Sequence, residues 1–400
     1  MQHKIKQERF IRMDIFITLL ALEIMAYFYY GFRAVMIAGL CIIVSFVCEY
    51  FSIIAMKKKF TADDIGCITD GFIIALMMPP SVDYKIPVIA CIFMNIAGKN
   101  IFGGRKNIIF SPAAVGYLFA LTSWEKQILE YPNPFAKTEL FDGSQKLVHS
   151  ASYVFNTTGK LSITDYDIIM GNFAGPMGTV SILLLLITSF VLLFRRDISV
   201  GAFVGFIVGT LFMGLIAPVG ENTFESLKYL IATNMTIYAA VFIVSDTRTA
   251  PRKLHFAFFY GIFIALTSYI LLLTTGIENP AVIIAVLFAP VSLGFKNLEN
   301  KIDKLIAEEN AEAEAVEAIV TETRKLSNEI SEEYEKSQEQ ISDIANEAIE
   351  EINRIDEMPE ENMGSEIEIA DKNVCDESDE EINSNIDDVN NQGDDLNKQD

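Results

Sequence analysis

AVMIAGLCIIVSFVCEYFSIIA, residues 34–55, carries a single charged side chain, Glu49. A helix of that length crosses about 30 Å of hydrocarbon. Working outward in both directions, comparable apolar stretches recur at roughly 13–31, 65–80, 85–101, 109–123, 179–194, 198–217, 227–246, 254–274 and 279–295. Ten such segments predict an all-α polytopic membrane protein. Lys4, Lys6, Arg9 and Arg12 precede the first segment as they would in a signal peptide, yet no small-residue cleavage site follows at the usual distance. The first segment therefore reads as a retained helix.

The net charge of −22 belongs to one end of the chain. Residues 297–400 hold 34 acidic and 8 basic side chains, which leaves 19 and 23 to the apolar residues 1–296. That body has no concentrated basic face, so nucleic-acid binding is excluded. The five cysteines and three histidines form neither a CxxC pair nor a zinc spacing. Three parts follow: a transmembrane body, 1–296; an acidic amphipathic helical extension, 297–358; and an acidic tail, 359–400, expected to be disordered. Apolar residues in the extension (Ile302, Leu305, Ile306, Val316, Ile319, Val320, Leu326, Ile330) recur too irregularly for a coiled coil.

Lysine and arginine in the short connections orient the body. With the N-terminus inside, the inner face receives Lys57–Lys59, Lys99, Arg105, Lys106, Arg195, Arg196, Arg248, Arg252, Lys253 and Lys296. The outer connections receive Arg33, Lys85 and Lys228. Both termini are then cytoplasmic, and the long segment 124–178 lies outside. A connection of that length either folds over a site or lies disordered. It clusters hydroxyls at Ser150, Ser152, Thr157, Thr158, Ser162 and Thr164.

Two matches at an offset of five helices suggest an internal duplication. Ser111-Pro112-Ala113-Ala114-Val115 opens the fifth segment and Asn279-Pro280-Ala281-Val282 the tenth. Met77-Met78-Pro79-Pro80 ends the third, and Ser245-Asp246-Thr247-Arg248-Thr249-Ala250-Pro251 ends the eighth. An odd offset inserts the halves from opposite sides, giving two inverted five-helix repeats with interrupted helices near the midplane. Within the spans, Glu23, Glu49 and Asp70 have no cation in their own helices and are candidates for a cation path. A carboxylate at a helix end that reaches the headgroup layer is the alternative for Glu49.

Three segments resemble the RnfD/NqrB family of membrane flavin subunits of ion-translocating electron-transport complexes. They are Gly103-Gly104-Arg105-Lys106-Asn107-Ile108-Ile109-Phe110-Ser111-Pro112-Ala113-Ala114-Val115-Gly116-Tyr117, the Ser245–Pro251 turn, and Leu76-Met77-Met78-Pro79-Pro80. The resemblance covers roughly residues 60–295. It implies an Rnf-type complex in a bacterial cytoplasmic membrane, with ferredoxin and NAD handled by other subunits. It also implies an FMN held by a phosphoester on the outer side and placed by a flavin transferase, with riboflavin as a further candidate flavin. The matching stretch is Ser150-Ala151-Ser152-Tyr153-Val154, which aligns Ser152 with the attachment residue; Thr157 and Thr158 offer the same nucleophile. Where the family has Gly this chain has Ser150, and Tyr153 replaces the following Pro. Two other readings stay open: a channel or secondary transporter for a small solute, and a flavin-free assembly scaffold.

Overall fold

A computed structural model describes residues 2–58, 66–104, 107–135, 140, 146–160, 163–220 and 222–356. Lys59, Arg105, Lys106, Ser162 and the tail 359–400, all of which carry expectations from the sequence, lie outside the described residues. The chain divides into residues 1–306 and residues 307–400.

The first unit opens with α1 (Gln2–Tyr30) and α2 (Phe32–Ala55). Four shorter helices follow: α3 (Cys67–Met77), α4 (Lys85–Ala97), α5 (Pro112–Ser123) and α6 (Glu125–Leu129). Strands β1 (Glu130–Pro132) and β2 (Leu147–His149) pair antiparallel, with Tyr131 opposite Val148. Next come α7 (Ala151–Thr158), α8 (Asp165–Met170), α9 (Ile182–Arg195) and α10 (Val200–Ile216). Helices α11 (Thr223–Ala232) and α12 (Thr236–Ala239) lead into a π-helical turn, Ala240–Val244. The last elements are α13 (Leu254–Thr275), α14 (Pro280–Leu287) and α15 (Ala289–Asp356).

Each of the ten expected segments contains helix, but many of the helices are short. Among the described residues three alone are long and apolar enough to cross a bilayer: Phe32–Ala55, Lys85–Phe102 and Leu254–Thr275. The number rises to five if each broken pair counts as one span. The physical reason lies in the chain breakers. Pro79-Pro80 follow α3, and Pro112 and Pro280 occupy the first turns of α5 and α14, where a missing N–H costs nothing. The axis bends by 52° between α11 and the stretch Thr236–Val244. Large apolar side chains face outward on the longer helices, among them Phe28, Phe51, Phe190, Phe194 and Phe212. Such a surface calls for lipid around it.

Helices α10 and α13 pack backbone to backbone. A Cβ on Gly205 would collide with the Phe258 carbonyl, and one on Gly261 with the Ala202 carbonyl. Small residues permit this approach where lipid supplies no hydrophobic drive between helices. Gly205→Val should therefore cost roughly 1–3 kcal/mol by overpacking, read as a lower unfolding midpoint in detergent. An unchanged midpoint would refute this packing.

The described part of segment 124–178 folds back over the helix ends. The Gly178 N–H donates to the Leu76 carbonyl (2.7 Å), and the Arg33 guanidinium donates to the Leu140 carbonyl (3.1 Å). Phe155 of α7 stacks on Tyr229 of α11 with ring centroids 4.3 Å apart.

In the second unit the described residues, up to 354, are helical and exposed, with Ile319, Leu326, Ile330 and Ile341 along the helix.

Candidate functional site

Two polar centres interrupt the apolar interior of the first unit, one at each end of its helices. The first, at the end that carries most of the basic residues, forms where the π-helical turn ends. A π turn shifts the backbone register, and here it delivers Ser245–Pro251 onto the first turn of α3. The Arg248 guanidinium donates to both oxygens of Asp70 (Nη1 2.9 Å, Nη2 2.6 Å) and to Asp246 (Nη2 2.6 Å, Nε 2.9 Å). Asp70 is almost wholly buried, so one guanidinium binds two carboxylates in a poorly hydrated place. Lys296 Nζ donates to the Arg248 carbonyl at 2.7 Å. A cavity of about 630 Å³ opens beside this cluster, and Arg12, Asn107, Asp197 and Lys296 share its lining. Asp197 follows α9, and burial together with neighbouring Asp14 pushes its carboxyl up to about 6. Gly103 and Gly104, both in the left-handed region (φ 99° and 81°), precede the strip that brings in Asn107. A β-carbon is strained in that conformation, which accounts for two glycines there.

Glu49 and Lys99 form a second buried pair at 2.7 Å, and Asn100 Nδ2 donates to the same carboxylate (3.3 Å). The three acids singled out in the sequence thus separate. Asp70 and Glu49 find cations on other elements, whereas both carboxylate oxygens of Glu23 are buried without a hydrogen-bond partner among the described residues. The pairs Asp70–Arg248, Glu49–Lys99 and Asp14–Arg195 each join helix ends that the charge count puts on the inner face.

The second centre, at the opposite end, gathers around a residue that sequence reasoning missed. Glu278, in the turn between α13 and α14, is 2% exposed. Tyr131 donates to its Oε1, and Ser152 Oγ lies 3.5 Å from its Oε2. Among the described residues no cation pairs with it. Burial pushes its carboxyl up to about 8, and the hydrogen bonds from Tyr131 and Ser152 oppose that rise. Next to it, Asn279 Nδ2 donates to Tyr117 Oη (2.6 Å). A local signal did exist: an acid directly before Asn279-Pro280, flanked by apolar helices.

Ser150 caps α7 by accepting from the Tyr153 N–H (3.0 Å). That cap turns Ser152 inward, where its hydroxyl donates to the Thr233 carbonyl (2.8 Å) and is 1% exposed. Thr157 and Thr158 are exposed at the other end of α7, and each donates to a carbonyl of its own helix, Tyr153 (2.7 Å) and Val154 (2.6 Å).

The model of the NQR2, RnfD, RnfE family matches residues 2–295. Similar curated proteins carry the name of the D subunit of the ion-translocating oxidoreductase complex. The one from Pseudomonas paraeruginosa is 24% identical over 57% of this chain and 72% of its own length. That of Methanosarcina acetivorans is 23% identical over 62% of this chain and 74% of its own length.

Proposed function

This chain belongs to the NQR2, RnfD, RnfE family, and on that premise we propose that it is a membrane subunit of an ion-translocating oxidoreductase complex. The observation that carries the reading is convergence. Two of the three segments on which the resemblance rests, Gly103–Tyr117 and Ser245–Pro251, reach one cavity through Asn107, Asp246 and Arg248. A cluster of paired charges beside an open cavity can respond to charge arriving nearby, because a buried pair is weakly screened. Other subunits supply the electron donor and acceptor chemistry.

The halves are arranged as inverted repeats, with both termini cytoplasmic. In support, the Pro-initiated helices α5 and α14 meet through Tyr117 and Asn279, and Tyr238 Oη on α12 donates to the Ile73 carbonyl of α3 (3.0 Å). Corresponding elements of the two halves therefore touch. Glu23 is the acid best suited to a cation path, since it alone of the three has no bonded partner among the described residues. Glu23→Gln should lower ion-coupled electron transfer several-fold while leaving complex assembly intact. Unchanged coupling would remove Glu23 from the path.

The covalent FMN expected from the resemblance does not fit Ser152. Its hydroxyl is buried, it already donates to Thr233, and a carboxylate rather than a cation stands beside it. A phosphodiester there would bring an anionic group out of water beside a buried acid, with no cation among the described residues to pair it. Thr157 and Thr158 sit at the C-terminal end of α7, where the helix dipole disfavours an anion. A second reading is thus favoured, in which the chain serves the complex without a covalent flavin. Co-expressed with a flavin transferase, the chain should give no fluorescent band on a denaturing gel. A band lost in Ser152→Ala would restore the attachment.

Purification of the tagged chain from native membranes tests the main reading. Other subunits of an oxidoreductase complex should accompany it. A chain that purifies alone, and whose loss leaves membrane electron transfer unchanged, would overturn the proposal.

A further inference from the structure

The part of α15 in the second unit is exposed throughout its described residues, yet its side chains are patterned. From Val316 the steps 3, 4, 3, 4, 4 pass through Ile319, Thr323, Leu326 and Ile330 to Tyr334. The same steps from Tyr334 pass through Ser337, Ile341, Ile344 and Ala348 to Ile352. Each round of steps closes after about five helical turns, so these positions form one straight stripe about 54 Å long. None of them is charged. The mean step is about 3.6 residues rather than the 3.5 or so of a heptad, which is why the heptad fails here. The large side chains on the stripe are more than half exposed, from 57% at Leu326 to 66% at Tyr334 and Ile344. A continuous apolar row of that length in water is a face without its partner.

One border of the stripe is charged and the other is not. Glu322, Glu329, Glu333, Glu347 and Glu351 all lie on the same side of it, within about 60° of its edge at the helical rotation per residue. Lys325 and Lys336 stand behind that row, further from the stripe. The opposite border, from Val320 to Ile349, carries no charged side chain.

We propose that this face docks an amphipathic helix of a partner protein whose own apolar stripe is bordered by lysine or arginine. Charge complementarity selects that occupant. From Val316 to Ile352 the chain holds 11 acidic and 3 basic side chains. A cation seated against the glutamate row would lie at the edge of a seam that excludes water, where screening is weaker.

A second copy of this chain fits the face less well. Packed antiparallel, it sets the glutamate row against the same row; packed parallel, it sets the row against the uncharged border. Neither arrangement brings a cation. An anionic membrane surface repels the row as well. This surface goes beyond the proposed role in a complex, because peptide binding needs neither electron transfer nor another subunit. Failure of either reading leaves the other standing.

The test uses the purified full-length chain in phosphatidylcholine nanodiscs and fluorescently labelled helical peptides of about 18 residues, five turns each. One peptide has leucines at the same steps with lysines along one border; a second carries glutamate in place of lysine; a third scrambles the first. The leucine–lysine peptide should bind, read by fluorescence anisotropy, and its affinity should fall as salt rises. Ile330→Asp combined with Ile341→Asp should weaken that binding at least about tenfold. Glu322→Gln, Glu329→Gln and Glu333→Gln together should weaken it several-fold and flatten the salt dependence. Helix content by circular dichroism should hold in both variants, because every substituted side chain is exposed. Should the aspartate pair lower it, the glutamine variant decides alone. Equal binding by wild type and the deciding variant would mean that the peptide reads lipid rather than this face, and would overturn the proposal. Equal affinity for the glutamate or the scrambled peptide would overturn it too. So would a wild-type chain that dimerises and reverts to a monomer in the aspartate variant, since the face would then belong to a second copy.

Discussion

Arg248→Met should destabilise the protein more than any other single substitution at its polar centres, by about 3–5 kcal/mol. The variant strands two carboxylates, and Asp70 is 1% exposed. Asp70→Asn should cost less, because Arg248 keeps its bidentate partner Asp246. A midpoint for Arg248→Met well below that of Asp70→Asn, measured by unfolding in detergent, is the signature of one cation shared by two acids. Equal midpoints for the two variants would contradict the shared geometry. The same cluster changes what an Asp70 substitution means for ion coupling, since lost activity must be separated from lost structure.

The second large effect is a dependence of stability on pH. Burial pushes the folded Glu278 carboxyl up to about 8, from an ordinary value of 4.5. Between those values the folded chain holds a proton that the unfolded chain has released. Unfolding therefore gives up a proton, and stability falls as pH rises through that window, by at most about 1.4 kcal/mol per unit. Below 4.5 both states are protonated and this contribution is fully present. Scans in choline chloride should show the decline between about pH 5 and 8, and Glu278→Gln should flatten it. A wild-type midpoint that is level over the window would contradict the assigned burial of a proton-holding carboxyl. Asp197, near 6, adds a decline of the same sign over a narrower range, which is why the variant comparison is needed.

Sequence periodicity and chain breakers carried much of this fold. The apolar segments contain helix where expected, and Pro112 and Pro280 mark the helix starts to the residue. Charge counting also put the partners of each inner ion pair on one face. It could not reveal that Lys99 and Arg248 are internal counter-ions as well as orientation signals. Glu49 lies 50 residues from Lys99 and Asp70 lies 178 from Arg248, beyond any local window; of these partners only Asp246, two residues from Arg248, is local. The shortness of α3, α5 and α14 was equally hidden, because hydropathy does not distinguish a span from half of one.

The candidate sites were legible in part. Asp70 and the Ser245–Pro251 turn were each visible as motifs, while their contact is a product of tertiary packing. Ser152 looked like an accessible loop hydroxyl. Its burial follows from Phe155 stacking on Tyr229 and from the Ser150 cap, neither of which local composition specifies. Glu278 escaped notice because it sits in a connection between spans, where an acid is ordinarily solvated. The fold closes α7 and β1 over that connection and makes it interior.

Membership of a complex that couples electron transfer to ion movement is the central claim for this chain. The most direct measurement is cation uptake into inverted membrane vesicles after addition of an electron donor, with and without the chain. Uptake should be lost when the chain is absent, return when it is supplied in trans, and remain low when Glu23→Gln is supplied. Full uptake in vesicles lacking the chain would contradict that membership.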